Sequence, residues 1–261
     1  MHLQRKQQLQ KKFLNNNNKN NIKKESIKSC TFFFYAYMKK GESKMLNDDT
    51  KPDFKKCAIV VIDMQNDFVL PQAVSEIKGS YEIRNEIADI LKAARKNEIP
   101  IIHIVRLYEK DGINADLCRR EILKRGIQIV APNTEGADIL KDLKPNEEIL
   151  NFNLLMKGGF QELSKKEWVM YKSRWGAFYK TDLENFLHSR EINTLIILGC
   201  NFPNCIRATI YEASERDFKV VVVYDAISQV YEKGLQEIEA IGICLMDKKE
   251  IIHIFESKNM V

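Results

Sequence analysis

Residues 58–63 read AIVVID: five apolar side chains, four of them β-branched, run straight into a carboxylate at Asp63. An apolar run that is continuous rather than alternating is what a strand shows when both faces of its sheet are covered. The pattern returns at 101–105, 168–171, 194–198, 220–224 and 251–255, and the intervening stretches 82–96, 182–190, 204–216 and 233–246 carry apolar residues at helical spacing. In the first of these, Ile83, Ile87, Ile90, Leu91 and Ala94 share one face. Strands alternating with helices in this way predict an α/β fold: one domain with an open six-stranded parallel sheet and helices on both faces, a Rossmann-like three-layer arrangement.

Composition sets the limits of this domain. The chain has 261 residues, 44% hydrophobic and 30% charged, with 11 Gly and 6 Pro, which excludes fibrous and wholly disordered chains. Its net charge of +5 belongs to one end. Residues 1–52 hold 12 of the 41 Lys+Arg and 4 of the 36 Asp+Glu, leaving 29 bases against 32 acids in residues 53–261. The body is therefore slightly acidic and no nucleic-acid partner is expected. The basic, Asn/Lys-rich extension 1–52 reads as disordered. Its apolar run TFFFYAYM at 31–38 is too short to cross a bilayer, so no membrane partner is expected. A cytoplasmic location follows, and the extension equally fits an organelle-targeting segment or an upstream start. The six cysteines match neither a disulfide framework nor a zinc ribbon, which predicts free thiols.

In open α/β sheets ligands bind beyond the carboxyl ends of the strands. Three strand ends carry chemistry. Asp63 follows the first run, within VVIDMQNDF (60–68); Lys172 follows the third, within YKSRWGAF (171–178); and the fourth leads into GCNFPNCIRAT (199–209), a tight turn and a helix start. Taken singly, Asp63 fits a turn cap and Lys172 a solvated cation. Cys205 is different, because Pro203 suits a first helical turn and leaves the thiol near free backbone N–H groups and the positive end of the helix dipole. With a cation such as Lys172 nearby, its pKa is expected below the ordinary thiol value of about 8.5.

Together with VVVYDAIS (221–228), these stretches, in this order, resemble the isochorismatase-like cysteine hydrolase superfamily of nicotinamidases, N-carbamoylsarcosine amidases and ureidoacrylate hydrolases over residues 55–257. The resemblance implies a catalytic triad of Asp63, Lys172 and Cys205. It also implies a non-proline cis peptide at Cys200–Asn201 that turns the Asn201 N–H toward an oxyanion beside the Cys205 N–H, and assembly as a homodimer or homotetramer. Two features depart from the family. Phe202-Pro203 stands where many relatives have Thr-Asn or Thr-Asp, and residues 64–100 contain no histidine. A nicotinamidase-type zinc site is therefore not expected, nor any other metal or cofactor, and nicotinamide is a less favoured substrate.

These residue types suit the hydrolysis of a small amide or ureide through a thioester, with Cys205 as nucleophile, Asp63 as proton carrier and Lys172 orienting both. Arg106, Arg119 and Arg120 are candidates to clamp a substrate carboxylate, against solvated-helix roles for the last two. Phe68, Trp175 and Phe178 are candidate pocket residues, although core packing accounts for each nearly as well. His103 and His253 lie inside apolar strand runs and read as packed rather than catalytic. Two alternatives stand: an isochorismatase-type vinyl-ether hydrolase, against which the retained Cys205 argues, and a non-catalytic small-molecule binding protein, against which the intact triad argues.

Overall fold

Alternate side chains of the first strand, β1 (Cys57–Ile62), enter two separate cores. Ile59 and Val61 pack with Ile87, Ile90 and Leu91 of α2 (Arg84–Lys96) and with Ile251 and Phe255 of α8 (Lys248–Glu256). Ala58, Val60 and Ile62 pack on the other face with α5 (Leu183–His188), α6 (Arg207–Ser214) and α7 (Glu232–Glu239). The result is three layers, helices on each side of one sheet. The computed structural model describes residues 48–257, so the expectations for the extension up to residue 47, including the apolar run 31–38, lie outside the described residues. No described helix is long and apolar enough to cross a membrane, and the five described cysteines are free thiols.

The sheet has seven strands in the order β3-β4-β2-β1-β5-β6-β7. Six are mutually parallel: β1, β2 (Ile101–Val105), β4 (Glu167–Tyr171), β5 (Thr194–Gly199), β6 (Lys219–Ile227) and β7 (Cys244–Met246). The seventh, β3 (Phe160–Ser164), is an antiparallel edge strand paired to β4 and was not expected from the sequence. The chain proceeds outward from β1 through β2 to β4, then returns to β5 on the other side of β1. That reversal opens a crevice beyond the carboxyl ends of β1, β2, β4 and β5.

Residues 251–255 are helical rather than the sixth strand, and the helix expected over 233–246 stops at Glu239. Gly242 (φ 88°) turns the chain into β7. Asp247 then opens α8 with a capping box, accepting from the Glu250 N–H while its own N–H donates to the Glu250 carboxylate. Ile251 and Phe255, four apart, are buried, whereas His253 between them is exposed instead of packed. Five consecutive apolar-rich residues fit a buried helix face as well as a strand, and the cap decides between them.

Two local features hold the crevice in register. Gly199 adopts φ 112°, and a Cβ there would stand 2.3 Å from the Ile62 carbonyl oxygen; Cys200 N–H donates to that same oxygen at 2.9 Å. At the opposite end of the sheet, buried Glu167 accepts two hydrogen bonds from Arg95 (2.9 and 2.8 Å) and pairs with His103 Nε2 at 2.7 Å. Burial opposes the Glu167 charge, but the Arg95 and His103 hydrogen bonds overcome it and bring its pKa down to about 2.

Gly199→Ala is expected to cost about 3 kcal/mol or more, through backbone clash added to the left-handed penalty. Gly126→Ala, at φ 89° with open space around its Cβ, is expected to cost about 1 kcal/mol; equal denaturant midpoints for the two would contradict the close β5–β1 approach. The Glu167 contribution is present above its unfolded pKa of about 4.3 and fades as pH falls from there toward 2. Glu167→Gln should therefore flatten the acid limb of a stability–pH curve, and an unchanged limb would exclude this role.

Candidate active site

Each strand tip of the crevice delivers one side chain. Asp63 follows β1 in the left-handed region (φ 54°), which its short polar side chain tolerates, and its N–H donates to Ile104 at 2.9 Å. Lys172 follows β4, anchored by its N–H to the Val105 carbonyl at 3.0 Å. The Lys172 ammonium is wholly buried and donates to Asp63 Oδ2 at 2.7 Å, Trp175 O at 3.1 Å and Arg174 O at 3.4 Å, which satisfies all three of its donors.

Cys205 comes from the segment after β5. The Cys200–Asn201 peptide is cis, and Phe202–Ile206 form a single π-helical turn leading into α6. The turn is pinned by Phe202 N–H to Ser228 O (3.0 Å) and by Asn204 and Ile206 N–H to Asn201 O (3.2 and 3.3 Å). Thr209 Oγ donates to Cys205 O at 2.8 Å and accepts from Ala177 N–H at 3.2 Å, tying the thiol's backbone to the loop that carries Lys172. Asn201 reaches Gln229 with its side-chain amide at 2.6 Å, and the Cys200 thiol donates to Asp63 O at 3.1 Å, a structural role.

The Cys205 thiol, 6% exposed, does not ionise more readily than usual. Its pKa is raised: burial is the largest cause and the Asp63 charge the next, and together they outweigh Lys172 and Arg106. The expectation of an activated thiolate is corrected on that ground. The helix dipole and one cation do not offset the loss of water and a facing carboxylate. Asp63 is the charged neighbour of the thiol that raises its pKa, and its buried Oδ1 makes no hydrogen bond. The site thus holds a thiol beside a carboxylate.

Arg106, after β2, is fully buried beside them, with Nη2 2.8 Å from Asp116 Oδ2 and 3.9 Å from Cys205 Sγ. Trp175 lies under its guanidinium at 4.9 Å. The other expected side chains separate. Phe178 packs on Phe218 at the start of β6 and under Arg216, on the core side away from the strand tips. Phe68 belongs to the core on the α2 face. Arg119 donates to Ser75 Oγ, and Arg120 to the Ala115 and Ile113 carbonyls.

Residues not singled out in the sequence complete the site. Gln65, fully buried, accepts from Arg106 N–H and donates to Arg106 O, each at 2.7 Å. Asp116 holds the guanidinium, and Asn114 links Leu107 O to the Tyr171 hydroxyl. Gln65 and Thr209 lie inside the motifs that carry Asp63 and Cys205, but no local sequence pattern tells a buried clip from a solvated amide or hydroxyl. Among the described residues, no group of three His, Cys, Asp or Glu is placed to hold a metal ion.

The isochorismatase domain model matches residues 57–160 and 156–242. A protein named as a probable inactive nicotinamidase of Arabidopsis thaliana is 29% identical over 196 residues, covering 73% of this chain and 91% of the relative. A ureidoacrylate amidohydrolase of Methylorubrum extorquens is 25% identical over 197 residues, 71% of this chain and 75% of that one. The crystal structure of an isochorismatase family protein from Desulfovibrio vulgaris superposes with a TM-score of 0.66 at 30% identity, over 77% of this chain and 99% of that one. The chain belongs to the isochorismatase family.

Proposed function

We propose that this chain is a cysteine-dependent hydrolase of a small amide or ureide. The observation that carries the reading is the arrangement of Lys172, Asp63 and Cys205: a buried ammonium fixes one carboxylate oxygen at 2.7 Å, and the charge of that carboxylate acts on a buried thiol. Relatives named as amidohydrolases support the reaction class.

In the first half-reaction, Asp63 takes the thiol proton as Sγ attacks the substrate carbonyl carbon. The backbone N–H groups of Asn201 and Cys205 receive the oxyanion. The C–N bond then breaks as Asp63 passes its proton to the departing nitrogen, leaving a thioester on Cys205. In the second, Asp63 removes a proton from water, the hydroxide displaces sulfur, and acid and thiol are regenerated. Throughout, Lys172 keeps Asp63 oriented and its charge balanced. A raised thiol pKa suits this route, because the proton leaves only as the sulfur–carbon bond forms.

A binding protein is the second reading, favoured by the Arabidopsis relative named as a probable inactive nicotinamidase. A mass-spectrometric screen of small amides and ureides separates the two. Wild type is expected to hydrolyse members of the panel and Cys205→Ala to lose all turnover, whereas binding without turnover by both would establish the second reading.

Asp63→Asn is expected to move two readouts in opposite directions. Removing its charge lowers the thiol pKa, so the pH midpoint of Cys205 alkylation falls, while hydrolysis drops by about a hundredfold or more for want of the base. A midpoint that stays or rises would contradict the pairing. Lys172→Met leaves Asp63 buried and unpaired, at a cost of about 3–5 kcal/mol of stability. A denaturant midpoint matching wild type would show that the pair is not dry.

A further inference from the structure

The side chain of Cys200 is fully buried among apolar residues, and the reaction proposed above does not use its thiol. Burial, ahead of the Asp63 charge, holds its pKa well above the ordinary thiol value, so the proton stays on sulfur and is available to donate. It donates to the Asp63 carbonyl oxygen at 3.1 Å, and the Cys200 N–H donates to the Ile62 carbonyl oxygen at 2.9 Å. Those two carbonyls belong to the peptide groups on either side of the Asp63 Cα. One residue therefore fixes both backbone torsions of Asp63 in its left-handed conformation (φ 54°), and with them the direction in which its carboxylate leaves the chain.

On its other side Cys200 leads into the peptide that carries the Asn201 N–H. Ser228 closes that side, its N–H donating to Gly199 O at 3.1 Å and its carbonyl accepting from Phe202 N–H at 3.0 Å. The Ser228 hydroxyl is paired in turn with that of buried Ser80 at 3.0 Å. Packing alone would be served by an apolar side chain of similar size; sulfur adds a donor. We propose that Cys200 is a positioning residue, whose thiol locks the Asp63 proton carrier and the Asn201 N–H into one unit, so that proton removal from Cys205 and stabilisation of the oxyanion keep a common geometry. The proposal rests on the hydrolase reading and its roles for Asp63 and Asn201. A single S–H to carbonyl bond is weak. Its leverage is directional, because a displacement of about 1 Å at a reacting group can cost about a hundredfold in rate.

Two small electrophiles, p-nitrophenyl acetate and iodoacetamide, test this on the full chain. With the ester, Cys205 Sγ bonds to the acetyl carbon as its proton passes to Asp63 and an oxyanion forms; the carbon–oxygen bond then breaks with its electrons on p-nitrophenolate, leaving an acetyl thioester. With iodoacetamide the sulfur–carbon bond forms, the carbon–iodine bond breaks with its electrons on iodide, and no oxyanion arises. Mass spectrometry of the peptide containing Cys205 gives both rates. The acetylation-to-alkylation ratio is expected to fall roughly tenfold or more in Cys200→Val, which fills similar space without a donor, and in Cys200→Ala. Cys200→Ser, which restores a donor, should recover most of that loss. A merely structural role moves both rates together and leaves the ratio where it was. An unchanged ratio in the donor-free variants, or an equal fall in Cys200→Ser, would overturn the positioning role and leave the hydrolase reading standing. Wild type that is not acetylated at Cys205 would overturn both. Either donor-free variant decides the matter if the other does not fold.

Discussion

The ammonium of Lys172 and the carboxylate of Asp63, 2.7 Å apart with no access to water, form the interaction around which the crevice is organised. Two ions removed from solvent stabilise each other only if their remaining donors and acceptors are met and their geometry is held. The Lys172 side is met by the Trp175 and Arg174 carbonyls. The geometry is held by strand order, because β1 and β4 flank β2 and their tips end at one level. Gly199 lets β5 close against β1 from the other side, which delivers the Cys200–Asn201 peptide and then the thiol to the same place.

This constraint fixes the chemistry available to Cys205. Burial and a facing carboxylate keep the proton on sulfur, and the two cations present are not enough to remove it. A site of this kind does not store a thiolate. It holds a thiol beside a carboxylate, and in the hydrolysis we propose, charge develops on the sulfur and on the substrate oxygen only in the presence of substrate. Arg106 is buried in the same place, its Nη2 paired with Asp116 at 2.8 Å and 3.9 Å from Cys205 Sγ.

Where both faces of a strand are covered, the sequence carries that fact openly. Residues 58–62 and 194–198 are continuous apolar runs, and their ends gave Asp63 and the turn before Cys205. Legibility ended where two structures share one pattern. IIHIF at 251–255 fits a strand or a buried helix face, and only the Asp247–Glu250 capping box tells them apart. The edge strand β3 alternates weakly and gains its identity from pairing with β4. Phe178 shares a motif with Lys172, yet the loop turns it toward Phe218 and away from the strand tips. The direction of the Cys205 pKa was also beyond the sequence, since spacing shows which charges approach a thiol but not how much water has been excluded around it.

The central claim is that sulfur at position 205 carries the acyl group between the two half-reactions. Acid-quenched mass spectrometry of the full chain during turnover of its best amide substrate measures this directly. The account predicts a mass increase equal to the acyl group, on the peptide containing Cys205 and removed by hydroxylamine. Product formation with no adduct on that peptide at any quench time, under conditions where a thioester survives, would contradict it.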